Sequence, residues 1–183
     1  MDRGYIYLNK KSFLHNLEVL KNLSRKELCL VVKANAYGHG LEWAVKNAKE
    51  SGTKWFAVAS VDEGMQVKKV YEESRVLLLA EPSKIQLENI KENDIDLTVY
   101  NESFIDTLIE TGDEYSVHLK IDTGMHRLGC PPEKFYDLYK KIVDSDLNLI
   151  GICTHFPMAD TDETETKKSI ELFEKTISDI DST

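Results

Sequence analysis

An α/β fold built on a parallel sheet is the class this sequence predicts, and three observations predict it. Six short apolar runs recur along the chain: CLVVK at 29–33, KWFAVAS at 54–60, RVLLLA at 75–80, DLTVY at 96–100, SVHLKID at 116–122 and LIGICTH at 149–155. The runs are apolar almost throughout rather than at every second position, as suits strands buried on both faces. Longer amphipathic stretches separate them, and strands that alternate with helices six times over belong to a parallel sheet with crossover helices. A doubly wound sheet and a (β/α)8 barrel both fit this order. An eight-unit barrel typically takes about 250 residues, more than the 183 of this chain.

The elements follow in order. YIYL, 5–8, reads as a short separate strand. A first helix over about 10–23 has Phe13, Leu14, Leu17 and Leu20 on its buried face. Residues 41–51 place Leu41, Ala44, Val45 and Ala48 at helical spacing, and Gly52 stands where a left-handed terminator is expected. Pro131 and Pro132 open a helix carrying Phe135, Leu138, Tyr139 and Ile142, proline being favoured in a first turn. The last stretch, 163–181, sets Ile170, Phe173, Ile177 and Ile180 on one stripe.

Composition narrows the function. With 42% hydrophobic and 30% charged residues the chain is balanced like a globular protein rather than a disordered one. Its net charge of −9, with no offsetting basic cluster, would repel a phosphate backbone, so nucleic acid is not the expected partner. No apolar run approaches a membrane-spanning length, and the opening MDRGYIYLNKK lacks the features of a secretory signal. Cys29, Cys130 and Cys153 are odd in number and far apart, which suits a reducing compartment, the cytoplasm, with no disulfide framework. Cys130, just before Pro131, is either a buried small hydrophobe or a reactive thiol.

Reactive groups of parallel α/β folds gather at the carboxyl ends of the strands, and three such ends carry unusual polar residues. In VVKANAYGHG, 31–40, Lys33 closes an apolar run. Burial disfavours the ammonium form, and a Schiff-base lysine reacts as the free amine. Gly38 and Gly40 allow a tight turn into a helix whose amino end can help hold an anion, and Tyr37 adds a hydroxyl. An ordinary lysine snorkelling from a strand end is the alternative. In HLKIDTGMHRLG, 118–129, alternation sends His118, Lys120 and Asp122 to one face, and Arg127 follows in a loop between Gly124 and Gly129. Such a guanidinium suits a carboxylate or phenolate; an internal Lys120–Asp122 pair with a surface arginine is the alternative. In GICTHFPMAD, 151–160, His155 ends a strand and either stacks on a planar ligand or is structural. His155 and Asp160 lack a third partner, so no metal site is defined.

Taken together, these segments resemble the amino-terminal region of the alanine racemases, enzymes that use pyridoxal 5′-phosphate on a (β/α)8 barrel. VVKANAYGHG resembles the family's cofactor-lysine motif, HLKIDTGMHRLG its arginine loop, GICTHFPMAD its sixth-strand motif and YIYLNKKSFLHNL its opening. The resemblance runs in order from Tyr5 to about Asp160. It implies an incomplete TIM (β/α)8 barrel, the first six strand–helix units of a pyridoxal-phosphate-binding domain spanning 1–183. It implies that Lys33 forms the Schiff base and acts as one of two catalytic bases, and that Tyr37 hydrogen-bonds the cofactor phosphate. Arg127 would contact the phenolic oxygen and help place the substrate carboxylate, and His155 would pack on the pyridine ring. Lys120 stands where some members carry a carbamylated lysine that orients the arginine. His126 stands where many relatives have glycine.

The implied reaction is interconversion of L- and D-alanine. In the family a tyrosine supplies the second base, from a carboxyl-terminal β-domain of the partner subunit in a homodimer. That domain and the last two barrel strands are not among these residues, so the chain alone is expected to be marginally stable or aggregation-prone and to racemise alanine negligibly. A serine or broad-specificity racemase of the same fold is an alternative. So is a non-catalytic pyridoxal-phosphate-binding module, like the single-domain homeostasis proteins, or an inert remnant. The homeostasis proteins share the fold but not the HLKIDTGMHRLG segment.

Overall fold

The computed structural model describes residues 4–178 and 180. Six strands alternate with helices in the order of a partial α/β barrel: β1 Cys29–Val31, β2 Trp55–Val58, β3 Arg75–Leu78, β4 Ile95–Val99, β5 Ser116–Lys120 and β6 Asn148–Cys153. The helical segments are α1 Lys10–Ser24, α2 Lys33–Tyr37, α3 Leu41–Glu50, α4 Val61–Val70, α5 Leu87–Glu92, α6 Glu102–Thr111, α7 Phe135–Val143 and α8 Glu163–Ile177. All six predicted strands are present; β1, β2, β3 and β5 are two or three residues shorter than their apolar runs, while β4 and β6 begin one residue before theirs. The chain divides into two compact units, Met1–Asp96 and Leu97–Thr183, with the boundary inside β4.

In the first unit β1, β2 and β3 pair in parallel, with Leu30 opposite Phe56 and Phe56 opposite Val76. Phe56, Val58, Val76, Val45, Ala48 and Val67 are fully buried where the helices cover the strands. Each such aliphatic or aromatic side chain contributes about 1.5–3 kcal/mol on burial. Ser60 caps α4 by accepting from the Glu63 N–H at 3.3 Å. Gly52, at φ +80°, ends α3 as the sequence indicates.

In the second unit β4, β5 and β6 are also parallel. Its core is Leu97, Val99, Val117, Leu119 and Ile121 from the strands with Ile105, Leu108 and Ile142 from the helices. Asn101 caps α6 and Asp162 caps α8. The two prolines open a 3-10 turn, Pro132–Lys134, that leads into α7. Ile170, Phe173, Ile177 and Ile180 are all half-buried, on the stripe their spacing indicates.

Three expectations need correction. YIYL is not a strand: residues 4–9 have no regular structure, and Tyr5, Ile6 and Tyr7 are largely exposed. Strand propensity needs a ladder partner to express itself, and no pairing of this segment exists among the described residues. Leu20 is 53% exposed, so the buried face of α1 is narrower than its apolar pattern and centres on Leu17. The final helix ends at Ile177; residues 179 and 181 of the predicted span lie outside the described residues.

At the amino ends of the strands, the Arg75 guanidinium lies 4.5 Å from the Trp55 ring and donates to Asp96 at 3.2 Å. Burial pushes the Asp96 carboxyl above its ordinary value of 3.8, and the attraction of Arg75 only partly opposes this. A carboxyl whose folded value is raised favours folding at low pH, and that contribution is lost as pH rises through the raised value. Asp96→Asn is therefore expected to leave stability at pH 7 equal or higher and to flatten the decline as pH rises from about 4 toward 7. Urea unfolding midpoints of the two proteins across this range check it, and an unchanged slope contradicts it.

Candidate active site

The first cluster is the turn after β1. Val32 donates to the Ala57 carbonyl at 2.9 Å, continuing the ladder, and Lys33 then opens α2. Ala34, Asn35, Ala36 and Tyr37 all have φ between +51° and +54°. Four successive L-residues thus form one turn of left-handed helix, although each L-residue in that form costs about 1–2 kcal/mol. The turn persists because its polar groups are satisfied. Ala36 donates to the Val32 carbonyl at 2.8 Å, and Gly38 and Gly40 donate to the Asn35 carbonyl at 3.1 and 2.9 Å. The Asn35 side chain accepts from the Leu41 N–H at 2.8 Å and thereby caps α3. That N–H is thus already used within the turn.

Lys33 is half-buried and Tyr37 is 61% exposed. Neither side chain has a hydrogen bond or ion pair among the described residues. An amine at a strand end that makes no ion pair is open to an incoming electrophile.

The second cluster lies at the carboxyl ends of β5 and β6. A register shift between Val117 and His118 brings Gly151 opposite His118 and Cys153 opposite Lys120. A β-carbon at Gly151 would stand 2.5 Å from His118 Nδ1, so the missing side chain is what lets the buried imidazole lie against β6. Lys120 is also buried, at 8% exposure, on the face shared with His118.

Beyond β5 the loop folds back, with Cys130 donating to the Lys120 carbonyl and Asp122 donating to the Cys130 carbonyl. The Asp122 carboxylate accepts from the Gly124 and His126 N–H groups, both at 3.0 Å. Burial pushes its pKa up, but these bonds, with His126 and Met125 adding, hold it below the ordinary carboxylate value. Gly129, at φ +137°, could not carry a β-carbon without meeting the Asp122 backbone at 2.5 Å. Thr123 and Thr154 share a hydrogen bond of 2.7 Å, Thr154 donates to the Ile121 carbonyl, and Ser169 of α8 donates to the Thr123 carbonyl.

On this frame Arg127 is exposed, and its side chain has no hydrogen bond or ion pair among the described residues. What holds Asp122 is the pair of backbone donors on its Oδ1, with His126 Nδ1 3.7 Å from Oδ2. His155 is exposed, two residues past the end of β6. His126 has φ +53°, a conformation glycine adopts without cost, so the glycine of many relatives is physically sensible there. Cys130 is buried and burial pushes its thiol up to about 11; the reactive-thiol alternative is not supported. Cys153 is likewise pushed up to about 11 by burial, with Lys120 opposing.

Sequence reasoning missed two participants. Glu63 accepts from the Ala34 N–H at 2.6 Å and from the Ala59 N–H at 3.0 Å, and Asn35 organises the turn. The signals were present as S-V-D-E at 60–63, a capping-box pattern, and as an asparagine among small residues before two glycines. Among the described residues no helix is long and apolar enough to cross a membrane.

The family described as Alanine racemase, N-terminal domain, matches residues 8–183. The alanine racemase of Treponema denticola is 36% identical over 173 residues, 89% of this chain and 46% of that protein. That of Helicobacter pylori strain J99 is 32% identical over 93% of this chain and 48% of its own length. The chain spans about half the length of the curated relatives it matches. Among solved structures, the Clostridium difficile 630 alanine racemase in complex with cycloserine matches with a TM-score of 0.85 at 28% identity, covering 95% of this chain and 50% of that one. A histidine racemase from Leuconostoc mesenteroides subsp. sake matches at 0.84 and 26% identity, covering 90% and 46%.

Two substitutions check the second cluster. Gly151→Ala is expected to cost about 1–3 kcal/mol by forcing the His118 ring from its place, read as a lowered urea midpoint; an unchanged midpoint contradicts it. A carboxylate whose folded value is depressed stabilises above its unfolded value and loses that effect as pH falls. Asp122→Asn is therefore expected to lower the thermal midpoint at pH 7 and to shrink the acid-side decline, measured by melting at a series of pH values.

Proposed function

This chain belongs to the alanine racemase family through that family's amino-terminal domain, and from that premise we propose that it is the pyridoxal-phosphate-binding part of an amino-acid racemase acting on alanine. The observation that carries the reading is Lys33: an amine at the carboxyl end of β1, on a turn built in a costly backbone form, with no counter-charge taking it up. The donor set fits the cofactor's chemistry. Lys33 offers a nucleophile for an aldehyde, Tyr37 a hydroxyl for a phosphate oxygen, and Arg127 an unspent guanidinium for a phenolate or carboxylate.

When bound, pyridoxal 5′-phosphate supplies an aldehyde that joins to an amine and a conjugated ring that spreads the charge left when an α-proton departs. Lys33 would hold the cofactor through its amine, and as a base it would take up or return the substrate's α-proton on one face. As the resemblance implies, Tyr37 would donate to the phosphate, Arg127 would meet the phenolic oxygen and help place the substrate carboxylate, and His155 would pack on the ring. Lys120, buried beside the arginine loop, stands where some members of the family carry a carbamylated lysine, and a carbamate there would orient Arg127. Inversion of configuration needs a base on the opposite face, which the resemblance assigns to a tyrosine of a partner subunit. A homodimer follows from the same resemblance, and the buried thiols suit the reducing cytoplasm.

Reaction of the protein with pyridoxal 5′-phosphate, borohydride reduction and peptide mapping test this. The modification is expected on Lys33; modification scattered over exposed lysines with Lys33 untouched would overturn the reading. The histidine racemase among the structural neighbours favours a second reading, a racemase of other amino acids. Incorporation of solvent deuterium at the α-carbon of alanine, serine and histidine separates the two.

A further inference from the structure

Glu63 stands at the third position of α4, where a glutamate in a capping box reaches back to the N–H of the capping residue. Half of that box is present, since Ser60 accepts from the Glu63 N–H. The carboxylate goes elsewhere. One oxygen accepts from Ala59, the residue before the cap, and the other crosses to the Ala34 N–H at the first residue of the left-handed turn. It thereby joins the carboxyl end of β2 to the residue next to Lys33. Hydrogen bonds to an ionised acceptor are about twice as strong as neutral ones, and the one to Ala34 falls where the left-handed turn begins. Glu63 is half-buried and has no cationic partner among the described residues.

We infer that Glu63 is a positioning residue: its carboxylate fixes the left-handed turn and so sets the direction in which the Lys33 amine is presented. The link to the cofactor rests on the function proposed above; the link to the turn does not. A carboxylate is required because both partners are donors. A glutamine can accept at one oxygen only and sets an NH2 against the second N–H.

Glu63→Gln in this chain, with the neighbouring Asp62→Asn as control, tests the inference by two readouts. Amide hydrogen exchange at Ala34 and Ala59 is expected to quicken at least about tenfold in the glutamine variant, with exchange in β5 and α7 unchanged. Reductive fixation of pyridoxal 5′-phosphate at Lys33 is expected to fall by about the same factor, as loss of a charge-assisted bond implies, while fixation at exposed lysines does not. The control moves neither. Parent-like exchange at Ala34 overturns the inference, and so does faster exchange with undiminished fixation at Lys33. A parent chain that takes no cofactor at Lys33 contradicts the proposed function instead, and the exchange result then decides the role of Glu63. Should Glu63→Gln not fold, Glu63→Asp keeps the charge and shortens the reach by one methylene. Its Ala34 amide is expected to exchange faster, and a parent-like rate overturns the inference.

Discussion

The left-handed turn at Ala34–Tyr37 is the constraint on which the candidate site depends. L-residues avoid this form because the β-carbon crowds the following carbonyl oxygen, and here four adopt it in succession. Nothing in β1 requires it. What the turn does is bring the chain from the end of β1 into α3 within a few residues while leaving Lys33 at the junction. It holds because its internal donors are met by the Val32 and Asn35 carbonyls and its first N–H by Glu63. Backbone strain of this kind persists only where the surroundings over-determine it.

The second unit solves a similar problem with different parts. Asp122 gathers the amides of the arginine loop, Gly129 allows the loop to return against Asp122, and Thr123, Thr154 and Ser169 tie the strand ends to α8. In both units the residues that carry the frame have their hydrogen-bonding capacity filled, while Lys33, Tyr37 and Arg127 do not. A polar side chain at a strand end without a protein partner is costly to keep dry and useful for meeting a ligand. This division of labour, more than any single residue, is what makes the strand ends read as a site.

β2 to β5 were legible because a strand buried on both faces leaves a continuous apolar run that no solvent-facing helix shares; β1 and β6 carry such runs too, although their residues are only half-buried or exposed. Helix ends were legible where a specific residue enforces them, as Gly52 does for α3. YIYL failed because β-propensity describes a fit to neighbours, and among the described residues the segment pairs with no strand. Leu20 failed because periodicity marks a stripe but not its buried width. The left-handed turn was illegible in principle, since every local preference of Ala34, Ala36 and Tyr37 argues against it. Only tertiary hydrogen bonds reverse that, and the glutamate that makes the decisive one is disguised as part of a helix cap. Lys33 and Arg127 were found from residue type and place at strand ends, and the structure supplied what the sequence could not, that neither is spent on a neighbour.

The central claim is that the amine at position 33 anchors a pyridoxal cofactor. It is tested most directly by adding pyridoxal 5′-phosphate to this chain and to its Lys33→Ala variant, removing free cofactor, and recording the absorbance each retains. The parent is expected to keep the yellow colour of covalently held cofactor and the variant to lose it. Equal retention and equal colour in the two proteins would contradict the account.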